Sequence, residues 1–495
     1  SGYFQAANFK SFAAELNSTF GGKFANTLRA TYTRQNDPRT TKGGLFPFVD
    51  ILKDGNPLTS FGTELFSYGN LRDVEMYSFV DNLTWNSGKH NFLVGAQADF
   101  NTTKNGFQRF GTGYYVFQSW EDFVGGKLPS HYGLTYSLAP NFEQVFPSFK
   151  FAQYSVYGQD EINVSNKLKV TAGLRLDLPT YPVSLKEHPL ISQLTFANGE
   201  KINTGALPKS TVMWSPRVGF NYDVKGDRSL QLRGGTGIFT GRIPFVWIVS
   251  QAGDAGMLQV TQTWTGANVP GPFKVEPYLP SSVPVAGTSI PTAGTTAISP
   301  DFRMPQTWKS SLALDIQLPL GIVGTLEGIY NKDLNTAYFR NANLVAPTPF
   351  NVSGYPDNRL MYPASNNQKY INPLTPAGLY SPTGTTGYNA TVLGNASQGY
   401  YWSFNAKLEK QFNRGFSASL AYVRNGAQNL FDGGGDQPAS AFQGTATVNG
   451  SNNATLSYAN YVVPNRVVGA ISYRKEYAKF MATSISLVYQ GSADG

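Results

Sequence analysis

Between Phe151 and Leu178 the side chains alternate in character. Ala152, Tyr154 and Val156 fall on one side, with Gln153, Ser155, Gln159 and Glu161 on the other. The turn-forming run Asn163 to Lys167 follows. The alternation then restarts with Val170, Ala172, Leu174 and Leu176 set against Lys169, Thr171, Arg175 and Asp177. A period of two places successive side chains on opposite faces of a strand, so this stretch predicts a β-hairpin with one apolar and one polar face. Each arm is about ten residues long, the length a tilted strand needs to cross a bilayer.

The pattern recurs along the chain. Phe9–Ser18 and Asn26–Arg34 flank Gly21-Gly22-Lys23, and Val74–Trp85 and Asn91–Thr103 flank Asn86 to Lys89. Ser215–Val224 and Ser229–Phe239 flank Lys225-Gly226-Asp227, and Thr307–Leu318 and Ile322–Asp333 flank Pro319-Leu320-Gly321. Tyr400–Gln411 and Phe416–Asn425 flank Asn413-Arg414-Gly415, and Arg466–Arg474 with Met481–Gln490 forms the last pair. Seven hairpins predict about fourteen strands. Between them lie connections of about 30 to 65 residues, such as Gln35–Asp73, Gly241–Met304, Leu334–Gly399 and Gly426–Pro464, studded with Gly and Pro. One of these, Gly241–Met304, reads as too polar to hold a core. Trp120–Val124 reads as a short helical turn inside another. Tight turns alternating with long loops predict an all-β, transmembrane antiparallel β-barrel with long extracellular loops, since a soluble sandwich has no reason to collect its long loops at one end.

Composition agrees with that architecture. Charged residues make up only 14% of the 495 residues, aromatics another 14%, and the mean hydropathy is −0.26. No apolar run is long enough for a membrane helix, and a lipid face and a polar lumen cancel in such an average. With no Cys, disulfide and thiol chemistry are excluded. The net charge of +8 is dispersed through turns and polar faces, without the basic run that nucleic-acid binding needs. The expected surroundings are instead outer-membrane lipid and lipopolysaccharide.

Three runs carry a family resemblance: GKHNFLVGAQADF (88–100), YSVYGQDEINVSNKLKVTAGLRLD (154–177) and SPRVGFNYDVKGDRSLQLRGGTGIFTGR (215–242). They resemble the barrel of TonB-dependent receptors, most closely the Oar-like branch of Gram-negative bacteria. The resemblance implies active transport through a barrel of about 22 strands closed by an N-terminal plug, on which an inner-membrane energy complex pulls. This chain departs from the pattern. It shows no plug before Ser1, no energy-coupling box, and no aromatic residue at its end, Gly491 to Gly495. Residues 1–495 are therefore expected to be a partial barrel domain, with plug and terminal strands lying outside it.

Candidate chemistry is sparse. Gly234 to Gly241 lacks dinucleotide spacing, and as part of a barrel strand its glycines serve bending or close packing. Asp432-Gly433-Gly434-Gly435-Asp436 lacks the ligand alternation of an EF-hand and reads as a loop tip. His90, His131 and His188 lie far apart without zinc-site spacing. No nucleophile motif or carboxylate pair stands out, so neither a catalytic residue nor a metal site nor a cofactor is expected. The ligand-contact candidates are loop aromatics: Tyr355, Tyr362, Tyr370, Tyr380 and Tyr388, with Tyr114 and Trp120. Such rings offer large contact area at low entropic cost, which suits peptides or glycans. Three roles stay open: a TonB-dependent transporter, a scaffold subunit binding another outer-membrane protein or a lipoprotein, and a passive channel of about fourteen strands.

Overall fold

The computed structural model describes residues 2–106, 108–435, 437–445 and 447–493. Fourteen long strands form one antiparallel meander in chain order. They are β1 Asn8–Phe20, β2 Phe24–Thr41, β3 Leu71–Ser87, β4 His90–Gly106, β5 Ser148–Asn163, β6 Leu168–Thr180 and β7 Met213–Asp223. The meander continues with β8 Leu230–Thr240, β9 Gln306–Leu318, β10 Ile322–Asn341, β11 Tyr400–Gln411, β12 Phe416–Asn429, β13 Asn465–Tyr477 and β14 Met481–Ala493. Each strand pairs with its sequence neighbours, so the seven expected hairpins all form. Among the described residues β1 pairs only with β2, and β14 only with β13. No helix in them is long and apolar enough to cross a membrane, and the wall crosses with strands.

Cross-strand partners point to the same face, so the register sorts the side chains. One outer row runs Leu28, Asp81, Ala96, Val156, Leu176, Trp214, and a second runs Leu232, Leu314, Leu326, Ala406 and Tyr422. Apart from Asp81 these rows carry no charge, because lipid offers no partner to one. Aromatic rings border this face. Phe24, Trp85 and Phe92 lie at the short-turn end, with Trp85 stacked on Phe92 at 4.9 Å. Tyr32 and Tyr77, 5.0 Å apart, and Phe100 with Tyr154 lie toward the loops. The inner face is polar and carries ion pairs. Arg233 reaches Asp315 at 2.8 Å and Glu327 at 3.4 Å, while Thr325 donates to Asp315 at 2.7 Å.

At the periplasmic end the turns are tight. Gly415 sits at φ +84°, and a Cβ there would lie 1.9 Å from the Arg474 carbonyl oxygen, so glycine alone fits where the β11–β12 turn meets β13.

The opposite end departs from the expectation of irregular loops. Segments of three separate connections build a five-stranded sheet over the mouth. Its order is Asn56–Phe61, Phe48–Lys53, Tyr114–Phe117, His131–Ser137 and Gln259–Thr265, with the Phe48–Lys53 and Tyr114–Phe117 pair parallel. Val49, Ile51, Tyr115, Phe117, Leu134 and Val260 pack as its core. The stretch Gly241–Met304 also holds a core, contrary to its polar reading. Helix Val246–Asp254 buries Trp247, Ile248 and Val249 against Phe149 and Phe151 of β5 and Phe339 of β10. Its nine residues are apolar enough to form a core, although the surrounding Gly, Pro and Thr dilute that signal over the whole connection. Trp120–Val124 is helical as expected, capped by the Ser119 hydroxyl accepting from the Asp122 amide.

Candidate functional site

The mouth gathers polar residues of several connections into one place. Below it, the inner wall is closed by a hydrogen-bonded lattice. Asp99 and Asp177 are 3% and 2% exposed. Ser78 donates to Asp99 at 2.6 Å, and Asp177 accepts from Gln153 at 2.9 Å, Ser155 at 2.6 Å and Arg175 at 2.8 Å. Arg242, at the foot of the connection after β8, pairs with Asp99. Burying two carboxylates is tolerable here because each is paired and multiply hydrogen-bonded. The lattice ties the capping loop to the wall.

The cap is tied down at two further points. Arg340 on the upper part of β10 grips Glu200 with two bonds of 2.6 Å, a fork-to-fork geometry that only guanidinium supplies. Gln251 on the helix donates to the carbonyls of Thr204 and Ala206 at 2.7 and 2.6 Å, and accepts from the Ile298 amide at 2.9 Å. Asparagines complete the fastening. Asn341 donates to Asn389 at 2.7 Å, and Asn343 donates to the Tyr388 carbonyl at 2.8 Å.

Between the capping sheet and these fastenings lies a polar cleft of about 90 Å³, lined by Arg109, Asp254, Gln259, Thr261, Asn389 and Gln443 among others. Gln259 and Thr261 flank Val260 on a capping strand, so alternation turns them away from the sheet's apolar core and into the cleft. Asp254 ends the helix, where the backbone dipole is negative. Its carboxylate accepts from the Thr296 hydroxyl at 3.0 Å, and burial pushes its pKa up to about 6. Arg109 stands on the other side with its guanidinium over the Phe110 ring at 4.5 Å, and burial works against its charge. Among the described residues neither Asp254 nor Arg109 has an ion-pair partner. One cleft thus presents an anionic and a cationic pole among amides and hydroxyls.

The expected aromatic contacts divide. Tyr355 and Tyr380 are 59% and 50% exposed, and Trp120 is 47% exposed. Tyr362 is half-buried and its hydroxyl accepts from Asn453 at 3.1 Å. Tyr114 donates to Asp50 at 2.8 Å and stacks on Phe110 at 5.1 Å, part of the cap's own packing. Tyr370 is buried, and Tyr388 is fully enclosed with its hydroxyl 3.0 Å from that of Thr295. None of the seven lines the cleft. Arg109 escaped the sequence pattern because it reaches the cleft from a different connection than Asp254 and Gln259, which share the Gly241–Met304 stretch but show no motif spacing.

The histidines remain apart. His90 pairs with Asp160 at 2.7 Å beside the short turns. His131 lies in the capping sheet, where burial and then the Arg109 charge hold it below its ordinary pKa. His188 is buried and bonds the Ser289 carbonyl at 3.0 Å. Gly234, Gly235 and Gly237 lie in β8, where the barrel reading puts them. Of the acidic loop tip, Asp436 lies outside the described residues, as do Ser1, Asp494 and Gly495.

Residues 2–474 match the family described as Outer membrane beta barrel domain. The chain belongs to this family. It is an outer-membrane protein, and its solved structural relatives share the fold at low identity. The outer membrane transporter YddB from Escherichia coli superposes with a TM-score of 0.55 at 9% identity, covering 95% of this chain and 49% of that one. The siderophore receptor PirA from Pseudomonas aeruginosa gives 0.45 at 11%, covering 99% and 56%. The family member described here therefore spans about half the length of these solved structures. No curated protein sequence matches it.

Proposed function

We propose that these strands are the wall and mouth of a TonB-dependent outer-membrane transporter, a partial barrel domain completed by further strands and a plug. The observation that supports this reading is the cap. Its loops are not a fringe around an open pore. They co-fold above the lumen and are bolted to the wall through Arg242 and Arg340. A passive channel gains nothing from a folded mouth, whereas a receptor that must select before it imports needs a preorganised one. The ligand meets the exposed rings of Tyr355, Tyr380 and Trp120 first, and the charged cleft next. A carboxylate and a guanidinium without ion-pair partners among the described residues suit a ligand carrying both signs, such as a short peptide.

The test is accumulation of a labelled short-peptide mixture in cells carrying the complete protein, with and without the inner-membrane energy complex. Uptake that disappears without the complex supports the transporter. Uptake that persists without it belongs to a passive channel, and no uptake in either strain returns the scaffold role.

A further inference from the structure

Above the upper aromatic border, the outer face of β1 to β5 carries a patch of cations. Lys10, Arg34, Lys104 and Lys150 share the face of Leu28, Ala96 and Val156, and all four are exposed. Arg34 stands two residues beyond Tyr32 on β2, and Lys104 four beyond Phe100 on β4. At a rise of about 3.4 Å per residue and a tilt near 40°, that is roughly 5 and 10 Å above the rings. Rings at the lipid–water boundary put these cations level with headgroup phosphates, with acyl chains beneath. The patch is local: the outer faces of β6 to β9 hold no Lys, Arg, Asp or Glu.

The cations form two pairs. Lys10 and Arg34 are direct cross-strand partners, and Lys150 lies diagonally across from Lys104, whose own partner on β5 is Ser148. Like charges set opposite each other repel unless an anion stands between them. The nearby carboxylates are engaged already. Asp73, opposite Lys104, accepts from Arg34 Nε at 3.2 Å and Nη2 at 3.0 Å, and Glu75 accepts from Tyr32 at 3.0 Å and Tyr77 at 3.3 Å. Among the described residues Lys10, Lys104 and Lys150 have no ion-pair partner. The two pairs are three strand spacings apart, about 14 Å. Below Lys104 and Lys150 an apolar groove of about 500 Å³ runs down the wall, floored by Ala96 and Ala98 and walled by Phe79, Tyr154 and Val156.

We infer that this patch is a binding site for lipopolysaccharide of the outer leaflet. Its lipid anchor is a disaccharide phosphorylated at both ends and acylated below. One phosphate sits between Lys10 and Arg34, the other between Lys104 and Lys150, and an acyl chain fills the groove. Each phosphate serves two cations at once through charge-assisted bonds, which removes the repulsion within each pair. Free phosphate would leave the groove empty. A phospholipid with a single phosphate would leave one pair unserved. Two separated pairs above an acyl groove therefore select a lipid with two phosphates.

The test is retention of lipopolysaccharide by the complete protein, extracted from outer membranes in mild detergent and read by mass spectrometry as lipid per protein. Lys104→Gln/Lys150→Gln should lower retention at least 5-fold. Lys332→Gln/Arg424→Gln, which removes two cations from the loop side of the outer face on β10 and β12, should leave it unchanged. Delipidated protein should rebind purified lipopolysaccharide, and should bind its dephosphorylated form or phosphatidylglycerol at least 5-fold less. No loss in the first variant, an equal loss in the second, or equal binding of either comparison lipid would each overturn the site. If Lys104→Gln/Lys150→Gln fails to insert, the lipid comparison on the unaltered protein decides alone.

Discussion

A carboxyl group raised to about 6 by burial, as Asp254 is, binds its proton more tightly in the folded cap than in an unfolded chain, where the value is 3.8. The sign follows from linkage. Its contribution to stability is whole below pH about 4 and is lost as pH rises through about 6. Asp254→Asn should therefore stabilise the cap at pH 7.5, by about 1 kcal/mol once its partial exposure to the cleft is allowed for. At pH 4 it should change nothing. Hydrogen exchange of the helix amides at the two pH values reads this directly. Equal protection changes at both would show that the carboxylate is not paying a burial cost. A second residue-scale prediction concerns the wall. A Cβ on Gly95 would lie 2.4 Å from the Tyr157 ring and 2.6 Å from the Asn82 side-chain oxygen. Tyr157 donates to Asn82 at 2.6 Å and lies near Arg175, whose guanidinium is 5.0 Å from the ring centre. Gly95→Val should displace that ring and destabilise the wall by about 1–3 kcal/mol, visible as a lower temperature for the heat-induced gel shift of the barrel.

Elements differ in how separable they are. Helix Val246–Asp254 is held by Trp247, whose ring meets Phe339 edge-on at 5.1 Å and Phe431 at 5.8 Å. Trp247→Ala removes the ring that joins β10 to two different connections, and large-to-small core changes of this kind cost about 3–5 kcal/mol. The loss should fall on the cap. Limited proteolysis should cut within 241–304 and 426–464 while the hairpins stay intact, and cleavage inside the hairpins would refute that independence. The same division explains what the sequence discloses. Every wall strand was legible, because lipid on one side and water on the other force a strict period of two that Phe92 to Phe100 or Leu312 to Leu318 display in a single glance. Strand ends were not. β10 runs on to Asn341, past the Asp333 its alternation suggested, because above the membrane it pairs with Ala390–Ala396 and no longer has a lipid face. The capping sheet was illegible for a related reason: its partners come from three connections, and pairings such as Phe48 with Tyr114 leave no periodic trace. The site suffered most. Exposed rings could be proposed from residue type, but whether Tyr388 packs inward or Tyr380 faces out depends on contacts across the cap.

At the scale of the whole molecule the decisive feature is the pair of free edges. β1 and β14 each turn one side of their backbone to no partner among the described residues. Within a bilayer an open edge leaves amides and carbonyls unsatisfied, each at a cost of several kcal/mol, so only closed sheets persist there. Two closures are conceivable. Either β1 and β14 meet, making a fourteen-stranded cylinder, or further strands stand between them, as the proposal of a partial barrel domain requires. The alternatives differ in one distance. Leu16 and Leu487 both lie mid-strand on the outer face, 60% and 72% exposed. In a fourteen-stranded cylinder they come onto neighbouring strands, and in a larger barrel they stay several strands apart. The double variant Leu16→Cys/Leu487→Cys in the complete protein should therefore form no intramolecular disulfide. Residues 1–495 produced alone should likewise fail to give an SDS-resistant, heat-modifiable band, which the complete protein should show. A fast-migrating disulfide form of the double variant, or a stable barrel from residues 1–495 alone, would establish the smaller cylinder. The partial-domain proposal would then fall, and with it the space that a plug requires.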